Sequence, residues 1–136
     1  MAAVLTKNAI DLGIVTTRGD AMLAFYRDLL GFKYRREMPL PGGAGVMHQL
    51  SCGDSLIKLL VLSQVPQTAP PGGYLGASGY RYWTITVANI SELMASCVVA
   101  GIKVVTPERE LMPGVRIAIV EDPDGNWLEF LALKTA

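Results

Sequence analysis

Apolar and polar residues alternate along Ala9–Thr16, with Ile10, Leu12 and Ile14 on one side and Asp11, Gly13 and Val15 on the other. This predicts a strand with one packed and one open face, and Asp11 belongs to the open one. The period then changes. Met22, Phe25, Tyr26 and Leu29 fall at helical spacing, so an amphipathic helix is expected, capped by Asp20 and stopped by Gly31 at the position after its end. Strands are predicted at Phe32–Met38, Val46–Cys52 and Ser55–Leu62, the first two separated by the turn-rich segment Pro39–Gly45. Ser63–Gly79, with three prolines and four glycines, reads as a linker without regular structure. The order then recurs: a strand at Tyr80–Val87, a helix capped by Ser91 and stopped by Gly101, and strands at Lys103–Thr106, Val115–Glu121 and Trp127–Leu133.

The pattern is therefore one α+β domain over residues 1–136, built from two β-α-β-β-β modules at about 8–63 and 80–134 with a linker at about 64–79. Their mixed sheets are expected to curl around a shared cavity. Pairing Ile14 with Ile85, Leu59 with Phe130 and Leu62 with Leu133 gives one offset of 71 residues. On that offset Asp11 matches Tyr82, and Lys58 matches Glu129. Lys58 and Glu129 each place a charge in an otherwise apolar strand, which is costly unless something pairs with it. The turn feeding the last strand, Asp122-Pro123-Asp124-Gly125, uses Pro123 to fix the bend and Gly125 to accept positive φ. Four polar residues at two equivalent positions in each module are expected to converge if the modules are related by a pseudo-two-fold axis.

Composition narrows the partners. Twelve basic and twelve acidic side chains cancel, which removes the electrostatic argument for nucleic acid or an anionic membrane surface. No apolar run approaches the ~18 residues that span a bilayer. Cys52 and Cys97 match no metal-binding or disulfide spacing, so both are expected to be free thiols in a reducing cytoplasm. A small, weakly charged molecule is the expected partner.

Phe25-Tyr26-Arg27-Asp28-Leu29-Leu30-Gly31-Phe32 after the first strand, with Glu121-Asp122-Pro123-Asp124-Gly125-Asn126-Trp127-Leu128-Glu129-Phe130 near the end, resembles the vicinal oxygen chelate superfamily. That group holds glyoxalase I, bleomycin and fosfomycin resistance proteins, methylmalonyl-CoA epimerase and extradiol dioxygenases. The resemblance implies a divalent ion held by the first and last strands of each module, usually through His, Glu or Gln. Carried over, the positions are Asp11, Lys58, Tyr82 and Glu129. Only Glu129 is of the family type. Lys58 brings a positive charge and no lone pair while protonated, and neutral Tyr82 is a poor ligand, so neither a metal nor any other cofactor is expected.

Two functional readings follow. In one, Glu129 or Asp11 serves as a general base with Lys58 or Tyr82 stabilising an oxyanion, giving a metal-independent isomerase, epimerase or lyase. In the other, the metal site has degenerated into a buried Lys58–Asp11–Glu129 ion-pair network, and the protein sequesters a hydrophobic ligand without converting it. A metal-dependent glyoxalase-like or dioxygenase-like enzyme is the further alternative. His48, the single histidine, is read as a packing or hydrogen-bonding residue of its strand, with a role as acid or base in the cavity as the alternative. Tyr80, Tyr82, Trp83 and Trp127 offer stacking surface for a hydrophobic or aromatic molecule. Arg35 and Arg36, adjacent on a strand, are expected on opposite faces. Gly42-Gly43-Ala44-Gly45 precedes a strand and fails as a dinucleotide fingerprint. Open sheet edges point to a homodimer.

Overall fold

The computed structural model describes residues 1–64 and 66–134, so position 65 of the expected linker lies outside the described residues. The chain divides into two compact units, Met1–Gln67 and Thr68–Ala136, with the boundary inside that linker. Each unit carries one mixed four-stranded sheet and one main helix.

In the first unit the elements are β1 (Leu12–Thr16), α1 (Gly19–Leu23, continued by a wider helical turn over Ala24–Leu29), β2 (Lys33–Pro39), β3 (Gly45–Cys52) and β4 (Ser55–Leu62). The sheet order is β1-β4-β3-β2, with β1 parallel to β4 and the other pairs antiparallel. A parallel pair needs a crossover, and here the helix and two further strands supply it. Met22, Leu23, Phe25 and Tyr26 are buried, and they share the core with Leu50, Ile57 and Leu59 of the sheet. The helix widens at its end because the Leu30 amide donates to Phe25 O, five residues back, and Gly31 turns the chain at φ +78°. Asp20 lies inside the first turn and makes no cap; the helix starts from Arg18.

The second unit repeats this plan. A short helical turn, α2 (Gly73–Gly76), precedes β5 (Tyr82–Thr86), α3 (Ile90–Val99), β6 (Val104–Met112), β7 (Val115–Glu121) and β8 (Trp127–Leu133), in the sheet order β5-β8-β7-β6. The predicted offset is written into the strand pairing. Gly13 opposite Lys58 and Ile14 opposite Leu59 recur, 71 residues on, as Thr84 opposite Glu129 and Ile85 opposite Phe130. Leu128 and Phe130 are fully buried on the helix side, joined by Met94 and Cys97 of α3.

Three further local expectations fail for identifiable reasons. Ser91 sits within α3, whose capping position is Asn89, and its hydroxyl donates to Glu108 Oε1 at 2.7 Å. β6 runs on to Met112 past Pro107, because the register with β7 shifts between Thr106 and Arg109 and the irregularity accommodates a residue that cannot donate to a ladder. The linker contains α2, which tertiary contacts described below hold in place.

Candidate functional site

Strand alternation sends Leu128 and Phe130 into the core and leaves Trp127, Glu129 and Leu131 on the other face of the second sheet. Pairing across the sheet adds Tyr82 and Thr84 from β5 and Ile117 and Ile119 from β7 to that face. The Thr84 hydroxyl donates to Glu129 Oε1 at 2.8 Å. Among the described residues of this unit no cation pairs with Glu129, so the partner that the neighbouring strand β5 supplies is a neutral hydroxyl. Nothing in the sequence singled out Thr84. The offset held the signal, since Thr84 is the counterpart of Gly13.

The same face carries an aromatic cluster. Tyr74 meets Trp127 edge-on at 5.3 Å between ring centroids and Tyr82 at 6.1 Å. Gly73 lies so close to the indole that a β-carbon there would stand 2.2 Å from a ring carbon. Arg81 fastens the segment, its Nε donating to Gly73 O at 2.7 Å and its Nη2 to Pro70 O. Trp127 is thereby buried, and its Nε1 donates to Glu121 Oε1 at 3.2 Å, a carboxylate that also pairs with Lys103 at 3.4 Å. Tyr74 and Tyr82 stay half-exposed. A Pro/Gly-rich stretch with no periodicity thus becomes a flap seated on Trp127, on the sheet face that also carries Glu129.

In the first unit Asp11 and Lys58 do come together, at 3.8 Å. They do not form the buried network expected. Lys7 is the nearer cation, 2.7 Å from Asp11 Oδ1, and the Leu56 amide donates to the same oxygen at 3.0 Å. Hydrogen bonding from Lys7, then from the Leu56 amide, holds the Asp11 carboxyl below its ordinary range. The Asp11 and Lys58 side chains keep 29% and 34% of their exposure, so the large penalty for breaking a buried ion pair does not apply.

His48 is not on the Lys58 face. It pairs with Leu59, on the helix-packed side, and its Nδ1 is 2.9 Å from the Tyr34 hydroxyl, with Glu37 Oε1 at 4.0 Å. Cys52 and Cys97 are free, and burial raises the pKa of both thiols. Tyr80 and Trp83 lie outside the aromatic cluster. Tyr80 is fully exposed before β5 begins, and Trp83 alternates to the face opposite Tyr82.

The donor set does not suit the family's divalent ion. In the first unit the two positions hold a carboxylate already engaged by Lys7 and an ammonium; in the second, a phenol and the Thr84-bonded Glu129. Among the described residues no group of three or more His, Cys, Asp or Glu side chains gathers in one place. A cation beside an ammonium loses most of its electrostatic gain.

With this geometry established, the chain belongs to the Glyoxalase/Bleomycin resistance protein/Dioxygenase superfamily, which it matches over residues 9–130. It is similar in fold to a glyoxalase family protein from Bacillus cereus, with 18% identity, a TM-score of 0.79 and coverage of 98% of this chain and 97% of that one. A glyoxalase family protein from Enterococcus faecalis is similar at 26% identity, TM-score 0.66 and coverage of 94% and 96%. A lactoylglutathione lyase from Agrobacterium tumefaciens shares 22% identity with a TM-score of 0.63, covering 90% and 91%. No curated protein sequence matches the chain. Among the described residues no helix is long and apolar enough to cross a membrane.

Proposed function

We propose that this protein binds a small, largely apolar molecule on the open face of its second sheet, where Glu129 acts as a metal-independent general base. The observation that carries the reading is the setting of Glu129: a carboxylate among Trp127, Leu131, Ile117 and Ile119 whose partner within its unit is the neutral Thr84 hydroxyl. One hydrogen bond on Oε1 orients the group without neutralising it, which suits a base that must take a proton from a bound molecule. Tyr82, on the same face, supplies a phenolic donor for the negative charge that develops when the proton leaves. Isomerisation, epimerisation and elimination all begin with such a step. In the first unit Lys58 and Asp11 play a charge-balancing part, and His48 a structural one. The reading includes a homodimer in a reducing cytoplasm, in keeping with two free thiols and with the sheet edges at β1, β2, β5 and β6.

The half-exposed rings of Tyr74 and Tyr82 favour a second reading, in which the same face sequesters an aromatic molecule without converting it. One experiment separates the two. A thermal-shift screen of small molecules identifies ligands, and wild type and Glu129→Gln are then compared on each of them. A base acts chiefly in the transition state, so Glu129→Gln is expected to lower turnover by roughly 100-fold or more while ligand affinity changes little. Undiminished conversion by the variant refutes the role given to Glu129. Tight binding of several ligands with no conversion by wild type favours sequestration.

A further inference from the structure

Arg35 and Arg36 are adjacent on β2, and regular alternation would send them to opposite faces. The strand is not regular there. The register with β3 passes from Tyr34 opposite Leu50 directly to Arg36 opposite Gln49, leaving Arg35 as the extra residue of a bulge. As a result Lys33, Arg35 and Arg36 all border one open cavity of about 360 Å³, together with Tyr34, Gln49 and Leu56. That volume lies within the range of small-ligand sites, roughly 300–1,000 Å³.

The charge around this cavity is unbalanced. The first unit holds seven basic and five acidic side chains, a surplus that the neutral total conceals. Three of its five carboxylates face other groups: Asp11 is engaged by Lys7 and Lys58, Asp28 by Arg27, and Glu37 stands toward His48. Among the described residues of the unit, none of the three cavity cations has a carboxylate partner. Arg36 is held in place instead, its Nε donating to Gln49 Oε1 at 3.1 Å, which leaves the two terminal nitrogens to present a planar pair of donors. Gln49 itself is 92% buried, and its amide nitrogen meets the thioether sulfurs of Met38 at 3.3 Å and Met47 at 3.5 Å. Sulfur is a weak acceptor, so a strong donor borders the cavity without a strong partner.

We infer that this bulge builds a binding site for a small multivalent oxyanion, a phosphate or polycarboxylate, recognised by Arg35, Arg36 and Lys33 with Gln49 as the positioning residue for Arg36. The site stands apart from the Glu129 reading and does not depend on it. A competing role for cations on an edge strand is to prevent sheet-to-sheet association, which requires charge but no particular anion.

Calorimetric titration of the full chain at low ionic strength with inorganic phosphate and with citrate tests the inference, alongside amide chemical-shift mapping. Saturable binding of either anion, with shifts centred on Lys33–Arg36 and Gln49, is expected, and the tighter of the two distinguishes phosphate from carboxylate recognition. Arg35→Gln and Arg36→Gln should each weaken it roughly tenfold or more, and Arg36→Lys, which keeps the charge but loses the planar fork, should also weaken it. Arg27→Gln, whose side chain is occupied by Asp28, should leave it unchanged. Absence of saturable binding by either anion overturns the proposal, as does an equal loss in Arg27→Gln. Wild-type affinity in Arg36→Lys removes the guanidinium assignment. Self-association of the Arg35 and Arg36 variants with anion binding intact makes these cations edge protection instead.

Discussion

A β-carbon at Gly73 would enter the indole ring of Trp127, and the backbone there already sits at φ +56°, where side chains are strained. Gly73→Ala therefore cannot be accommodated without lifting the flap. The expected cost is about 1–3 kcal/mol, the range typical of overpacking. Acrylamide should quench Trp127 fluorescence more readily in the variant, and unchanged quenching would show that the flap does not shield the indole. Asp11 makes a separate prediction about pH. Its carboxyl is held below the ordinary value by Lys7 and by the Leu56 amide, so the folded state favours the ionised form. The resulting stability is fully present above the ordinary carboxylate pKa and fades as pH falls through the lowered value. In Lys7→Met the Asp11 titration, followed by carboxyl NMR, should move upward toward the ordinary value. A titration unmoved by the substitution would assign the shift to the Leu56 amide and Lys58 instead.

At the scale of elements, the turn before β8 shows what sequence reading captures and what it leaves out. Gly125 does adopt positive φ, at +87°. Yet the carboxylate of Asp122 organises the turn, with Oδ1 accepting from the amides of Asp124 and Asn126 and Oδ2 from the Asn126 side chain. Asp122 is almost wholly buried, so Asp122→Ala strands two backbone donors and should cost about 1–3 kcal/mol in urea unfolding. A smaller loss would mean that water replaces the carboxylate. β4, β7 and β8 have the limits their apolar runs predict, because each is bounded by turn residues and is paired with a strand along both edges. The helix stops at Gly31 and Gly101 were equally legible, since positive φ restricts the choice of residue. The bulge at Arg35 was not, because register depends on the partner strand and no local residue announces it. α2 was hidden for the same kind of reason: Gly73–Gly76 has no helical pattern of its own and is held by Arg81 and Trp127. Of the candidate site, the open-face positions of Lys58, Tyr82 and Glu129 followed from alternation and the 71-residue offset, whereas Asp11 lies just before β1, which starts at Leu12 and not at the expected Ala9, and the hydrogen-bond partners Lys7 and Thr84 required the structure.

For the whole molecule, the two units share one framework while the chemistry at the equivalent positions differs. The helix-facing rows remain apolar in both units, Ile14 and Leu59 in one and Ile85 and Phe130 in the other. The open-face rows became Gly13 with Lys58 and Thr84 with Glu129, one cationic and one anionic. The units diverged in charge too, with seven basic and five acidic side chains in the first and the reverse in the second. A divalent ion needs several lone-pair donors, and at these positions the first unit offers an ammonium and a carboxylate already bound to Lys7. The protein is therefore expected to purify without a stoichiometric divalent ion, and dialysis against a chelator should leave its Tm unchanged, since a ligand that is not bound cannot stabilise the folded state. Elemental analysis checks the first expectation and a melting curve the second. One zinc, nickel, manganese or iron per chain, lost in Glu129→Gln together with several degrees of Tm, would show that Lys58 surrenders its proton or swings aside to admit the ion. That outcome would replace the proposed base with a metal-dependent glyoxalase-like or dioxygenase-like mechanism.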